Sequence, residues 1–239
     1  MFAAVVTVTA IGVVSVAPAV ADGQGYRFFK TRGKAHAPGA YWNPCEAISY
    51  GIDFTYATKI GMRKSWERDR WRSAVEEVSR TMGVDFRYVG AVRSRSAGTR
   101  PRSLAGVDLV ITFGKATKGG RYGYGRLLRG PVAGVAGVRW RSNGSNRRQV
   151  FGGYVVIDAK EVVRRTDEWE QPFDARPAAV RSPDVVRSLY MHEFGHAVGL
   201  DHVRDKKQLM YPRLQPDRPD QLGAGDRKGL RKLGRQRCF

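Results

Sequence analysis

Past residue 20 the 239-residue chain has no stretch apolar enough to cross a bilayer, which excludes a protein of several membrane spans. It has no internal repeat and no long low-complexity tract, so neither a solenoid nor a disordered linker is in view. Its length and 42% hydrophobic content fit one domain with a substantial core. Histidine is scarce, at four, and cysteine scarcer, at two. Acidic residues are also few, 22 against 42 Lys and Arg, for a formal net charge of +20. No nucleic-acid recognition motif accompanies that charge, so no specific nucleic-acid partner is implied.

The one long apolar run is Phe2 to Val20, closed by the small residues Ala19-Val20-Ala21 ahead of Asp22. Residues 1–21 read as a secretory signal with a signal-peptidase pattern at its end. An uncleaved anchor is the competing reading, because the run is just long enough to span a bilayer. No Lys or Arg precedes it, so the positive start of a signal is missing and the true start is expected upstream of Met1. Export makes the two cysteines a pair: a bridge between Cys45 and Cys238 would tie together the ends of the mature domain. Residues 22–44 read as an extended arm, whose His36 is given no role, and 45–239 as the folded domain.

Three of the four histidines fall in one stretch of eleven residues, His192-Glu193-Phe194-Gly195-His196-Ala197-Val198-Gly199-Leu200-Asp201-His202. On a helix, positions four apart share a face, so His192 and His196 can address one metal ion with Glu193 beside them. Gly199 can adopt the positive φ that ends the helix, and the turn brings His202 back as a third ligand. Three neutral imidazoles on zinc leave a fourth tetrahedral position for water, the donor count of a catalytic centre rather than a closed structural one.

The pattern H-E-x-x-H-x-x-G-x-x-H, followed by Leu209-Met210-Tyr211-Pro212, resembles the metzincin zinc peptidases, and the form of the Met turn is similar to that of their matrixin branch. The resemblance implies a secreted zinc endopeptidase acting on polypeptides as a monomer. It implies an α/β (α+β) fold with a twisted, mostly parallel five-stranded sheet, two long helices, and a small C-terminal subdomain with the Met turn and a last helix. It gives Glu193 the role of general base, Met210 that of a hydrophobic floor beneath the histidines, and Gly134 to Val138 a place above the cleft. There Gly134, Val135, Ala136 and Gly137 would let a peptide approach and add as a strand. An ordinary edge strand weakened by glycine is the plainer reading. Pro212 and Leu214 would wall a substrate pocket, although the chain has Pro212-Arg213-Leu214 where matrixins usually have Pro-x-Tyr. Tyr211 is not placed as astacin-like relatives place a zinc-binding tyrosine. Cys45 as a latency ligand is the alternative to the disulfide, without the Pro-Arg-Cys-Gly pattern of that switch. No histidines remain for a second, structural zinc, and calcium is possible on loop aspartates.

The rest of the chain fits that order. Ile48, Tyr50, Ile52 and Phe54 alternate as a strand within Ala47 to Tyr56. Lys64 to Met82 carries Trp66, Trp71, Val75, Val78 and Met82 near helical spacing, with Gly83 as its cap and the tryptophans expected in the core. Strands are expected at Phe86 to Val89, Val107 to Phe113, Val132 to Trp140 and Gln149 to Ile157, with a basic loop from Arg93 to Ser103. Ser182-Pro183-Asp184 opens the zinc helix with an N-cap, a first-turn proline and a carboxylate. Asp226 to Leu233, ending at Gly234, resembles the C-terminal helix of matrixins. The positive charge suits an anionic cell wall, a membrane surface or an acidic polypeptide, or is spread evenly for solubility. A rival reading is therefore a zinc-fold protein without activity that works as a basic adhesin.

Overall fold

A computed structural model describes residues 25–29, 38–95, 100–103, 106–117, 122–142, 148–170, 185–213 and 221–239. The N-terminal apolar run, His36, Ser182-Pro183-Asp184 and Leu214 lie outside the described residues.

Two short strands come first, β1 (Arg27–Phe28) and β2 (Tyr41–Trp42). They belong to the segment read as an extended arm, yet Tyr26, Phe28, Tyr41 and Trp42 are all buried. These aromatics have no shared period along the sequence, because their contacts are with distant residues: Tyr26 lies against Gly229, Tyr41 against Phe239, and Trp42 bonds the Ala197 carbonyl. Strand β3 (Ile48–Asp53) buries Ile48, Tyr50 and Ile52 as its alternation predicts. A short helix α1 (Thr55–Lys59) follows and was not anticipated. At its start the buried carboxylate of Asp53 accepts hydrogen bonds from the backbone and hydroxyl groups of both Thr55 and Ser94. Burial alone would raise its pKa, but those bonds outweigh it and hold the group below the usual value.

Helix α2 (Lys64–Met82) has the predicted bounds and ends on Gly83 in the left-handed region, φ 75°. Trp71, Val75, Val78 and Met82 lie on its buried face. Trp66 does not: it is 43% exposed beneath the Arg63 guanidinium, a correction to its expected place in the core. Five residues before Trp71 is about 140° around the helix, off the buried stripe.

Next come β4 (Phe86–Ala91), a small antiparallel pair β5 (Ser94–Arg95) and β6 (Arg102–Ser103) inside the expected basic loop, and β7 (Leu109–Gly114). Then follow β8 (Gly134–Ser142), β9 (Arg148–Asp158) and helix α3 (Ala159–Glu170), which sequence reading did not find. The chain closes with α4 (Val185–Val198), β10 (Leu200–Asp201) and α5 (Ala224–Gly234).

The main sheet has six strands: β4, β3, β7, β9 and β8 lie side by side, and β2 pairs with the start of β9 on the edge that β7 uses further along. All pairings are parallel except β8 with β9, so β8 is an antiparallel edge. Strand β2 is two residues long, which leaves five full-length strands. Every residue of β7 is buried, as a central parallel strand covered on both faces requires. Helices α2 and α4 cover one face. Trp71 stacks on Tyr190 at 4.2 Å, Phe86 meets Phe194 edge-on at 5.0 Å, and the Tyr190 hydroxyl donates to the buried Glu67. A smaller apolar group, Val110, Tyr124, Leu128, Val135, Tyr154 and Val156, fills the other face. Cys45 and Cys238 are joined by a disulfide, with Cα atoms 5.7 Å apart.

Candidate metal centre

Helix α4 is buried on every side from Leu189 to Val198, so its histidines are set by the core and not by solvent-exposed rotamers. Gly199 ends it with φ 121°, where a side chain would be strained, and the chain turns back through β10 to His202. The turn is held from outside. Strand β1 pairs antiparallel with β10, and the Phe29 N–H bonds the Gly199 carbonyl. Trp42 Nε1 donates to the Ala197 carbonyl at 2.9 Å.

The three imidazoles meet at one point. His192 Nε2 lies 3.2 Å from His202 Nε2, and His196 Nε2 lies 3.1 Å from it. His192 Nδ1 is 2.8 Å from the Leu209 carbonyl and His196 Nδ1 is 2.9 Å from the Leu200 carbonyl. A carbonyl can only accept, so both Nδ1 atoms carry the proton and both Nε2 atoms present lone pairs. A tetrahedral ion about 2.0–2.1 Å from each nitrogen needs nitrogens about 3.3 Å apart, so the donor set fits zinc. Among the described residues these are the histidine, cysteine and acidic side chains gathered closely enough to hold a metal.

Glu193 is buried on the same helix, facing β8. A Cβ on Gly134 would lie only 2.6 to 2.8 Å from its Cγ, Cδ and Oε1, so the strand can approach the carboxylate because residue 134 is glycine. Met210 is buried, with its Sδ 2.6 Å from where a Gly195 Cβ would be. It therefore packs against the helix between the two helical histidines. The structure thus brings together His192, Glu193, His196, Gly199, His202, Met210 and Gly134. Val135, Ala136 and Gly137 follow on the edge strand: Ala136 packs in the main core, whereas Val135 joins the group on the far face and Gly137 meets the Tyr154 ring. Pro212 is exposed just after the turn.

A profile of the family described as Matrixin matches residues 41–234. The chain belongs to the matrixin family. Metalloendoproteinase 1 of Glycine max is 36% identical over 66 residues, which is 27% of this chain and 22% of that protein. The chain thus spans about a fifth of the length of this curated relative.

Sequence reading missed the residues that support this matrixin site from a distance. Asp226, fully buried in the first turn of α5, accepts the backbone N–H groups of Leu209 at 2.6 Å, Met210 at 3.4 Å and Gly223 at 2.8 Å. Gln208 Oε1 accepts from Gly225 and Asp226 in return. The helix start therefore fixes the Met turn, whose Leu209 carbonyl in turn orients His192. An acidic residue in the first turn of a helix was the available signal, but it does not name the turn that it holds.

Proposed function

We propose that this matrixin is a secreted zinc-dependent endopeptidase with His192, His196 and His202 as metal ligands and Glu193 as general base. One observation carries the reading: three imidazole Nε2 atoms converge beside a buried carboxylate that abuts an edge strand. Zinc held by these three histidines would supply a water of pKa ~7 and polarise a carbonyl oxygen. The Glu193 carboxylate takes a proton as the water oxygen bonds to the peptide carbonyl carbon, and delivers it to the amine nitrogen as the C–N bond breaks. The outer edge of β8, which pairs with no strand among the described residues, hydrogen-bonds the extended substrate from Gly134 onward and sets its carbonyl against the site. Met210 and Asp226 hold the histidines in place without touching substrate.

Residues 1–21 are proposed as the export signal. The disulfide suits an oxidising compartment, and no helix among the described residues is long and apolar enough to cross a membrane.

The decisive experiment is degradation of an unstructured protein such as casein by wild type and Glu193→Ala, each with measured zinc content. Wild type should bind about one zinc and cleave, the variant should keep the zinc and lose at least about 10²-fold in rate, and chelation should stop cleavage. Equal cleavage by the two proteins rejects the assignment of Glu193. No cleavage by either, with firm attachment to anionic surfaces, favours the adhesin.

A further inference from the structure

The β8–β9 hairpin carries, at the end away from Glu193, a group of arginines that the site above does not use. Arg139 is half-buried, with its guanidinium 5.4 Å from the Phe151 ring centroid, and a Cβ on Gly152 would lie 2.5 Å from one of its nitrogens. Burial and the neighbouring Arg102 lower its pKa. Arg141 lies 6.0 Å from the same ring, and its guanidinium donates to Gln149 Oε1 at 3.4 Å. Phe151 is 37% exposed. Among the described residues no carboxylate pairs with Arg102, Arg139 or Arg141. Like charges gathered on an aromatic without a counter-ion oppose one another, and an incoming anion relieves that repulsion.

We propose that this cluster is a subsite for acidic side chains of the polypeptide substrate, about five residues to the N-terminal side of the scissile bond. The inference rests on the endopeptidase reading and adds a substrate class to it. Its support is continuity along one strand. Gly134 abuts Glu193, and Arg139 stands five residues further along the same edge, about 17 Å at the strand rise. Val135, Gly137 and Arg139 alternate on the face shared with Tyr154, so a peptide residue opposite Arg139 turns its side chain to the arginines. The outer edge of β8 pairs with no strand among the described residues. A peptide added there in the stronger, antiparallel sense runs from Ser142 toward Gly134, which puts the residue facing Arg139 before the cut.

The test uses three fluorogenic peptides with one common centre: glutamates four to six residues before the scissile bond, the same glutamates after it, or glutamines at both places. The first should be cleaved with kcat/KM about tenfold above the others, an advantage that high salt reduces and that Arg139→Gln and the exposed Arg141→Gln each diminish. Fluorescence anisotropy with zinc-loaded Glu193→Ala should give the same order of affinity without turnover. Unchanged melting temperature and zinc content show that a variant is folded. Equal kcat/KM and equal affinity for the three peptides overturn the subsite. So does tight polyphosphate binding that displaces none of the acidic peptide, because the arginines then serve an anionic polymer. If no peptide is cut, the endopeptidase reading fails, and the anisotropy series alone decides the subsite.

Discussion

Gly134 is the residue where backbone and chemistry meet most closely. Any side chain there must displace Glu193, since even a Cβ comes within 2.6 Å of it. Gly134→Ala should therefore leave zinc content at about one and the melting temperature within a few degrees, while kcat falls by about 10²-fold, the scale of an ångström-sized misplacement of a catalytic group. Steady-state kinetics beside metal analysis checks this. A variant with full kcat would mean that the carboxylate position is not critical. Such a role could be read only in part from the sequence. The three histidines and Glu193 were legible because one helix and one turn carry them within eleven residues. Family resemblance placed Gly134 above the cleft but not against Glu193, since 59 residues separate them and no local pattern encodes a contact that the sheet creates. Asp226 was not legible for the same reason, its bonds reaching back 16 and 17 residues to the Met turn.

Elements differed in legibility according to length and surroundings. Helix α2 showed its period over nineteen residues and its glycine cap, and the longer strands showed alternation or an apolar run. Two-residue strands carry no period, so β1 and β10 were invisible, although their pairing braces the segment between two ligands. Helix α3 follows β9 directly at Ala159, and its one start signal, the N-cap Asp158 whose carboxylate accepts the Lys160 N–H, is also the last residue of the strand. The β1–β10 pairing has a testable consequence. Leu200, paired with Phe28, gives its carbonyl to His196, and His202 follows directly after β10. Phe28→Ala removes a buried ring and should cost about 3–5 kcal/mol of stability. It should also weaken zinc binding about 10- to 100-fold, as loss of an outer support does for other metal sites. Chelator competition at a temperature where the variant remains folded measures the second effect. Zinc affinity equal to wild type would confine Phe28 to packing.

At the scale of the whole molecule, the charge and the disulfide act on different terms. The net charge of +20 repels itself across the fold and is screened by salt, whereas the disulfide is insensitive to it. Cys45 precedes β3, Cys238 follows α5, and 193 positions separate them, so the bridge closes nearly all of the described domain into one loop. On the chain-entropy account a loop of that length removes about 5 kcal/mol of freedom from the unfolded chain. For a domain of this size that corresponds to a fall of about 10–20 °C in Tm when Cys45 and Cys238 are both replaced by serine. Neither sulfur is among the clustered ligands, so the double variant should bind zinc and cleave as wild type does below its lowered transition. Calorimetry of the two proteins at matched zinc occupancy measures the shift. An unchanged Tm would mean that the unfolded chain is already held compact by other means. Greater activity at low temperature in Cys45→Ser alone would instead identify Cys45 as an inhibitory thiol, against the pairing seen in the structure.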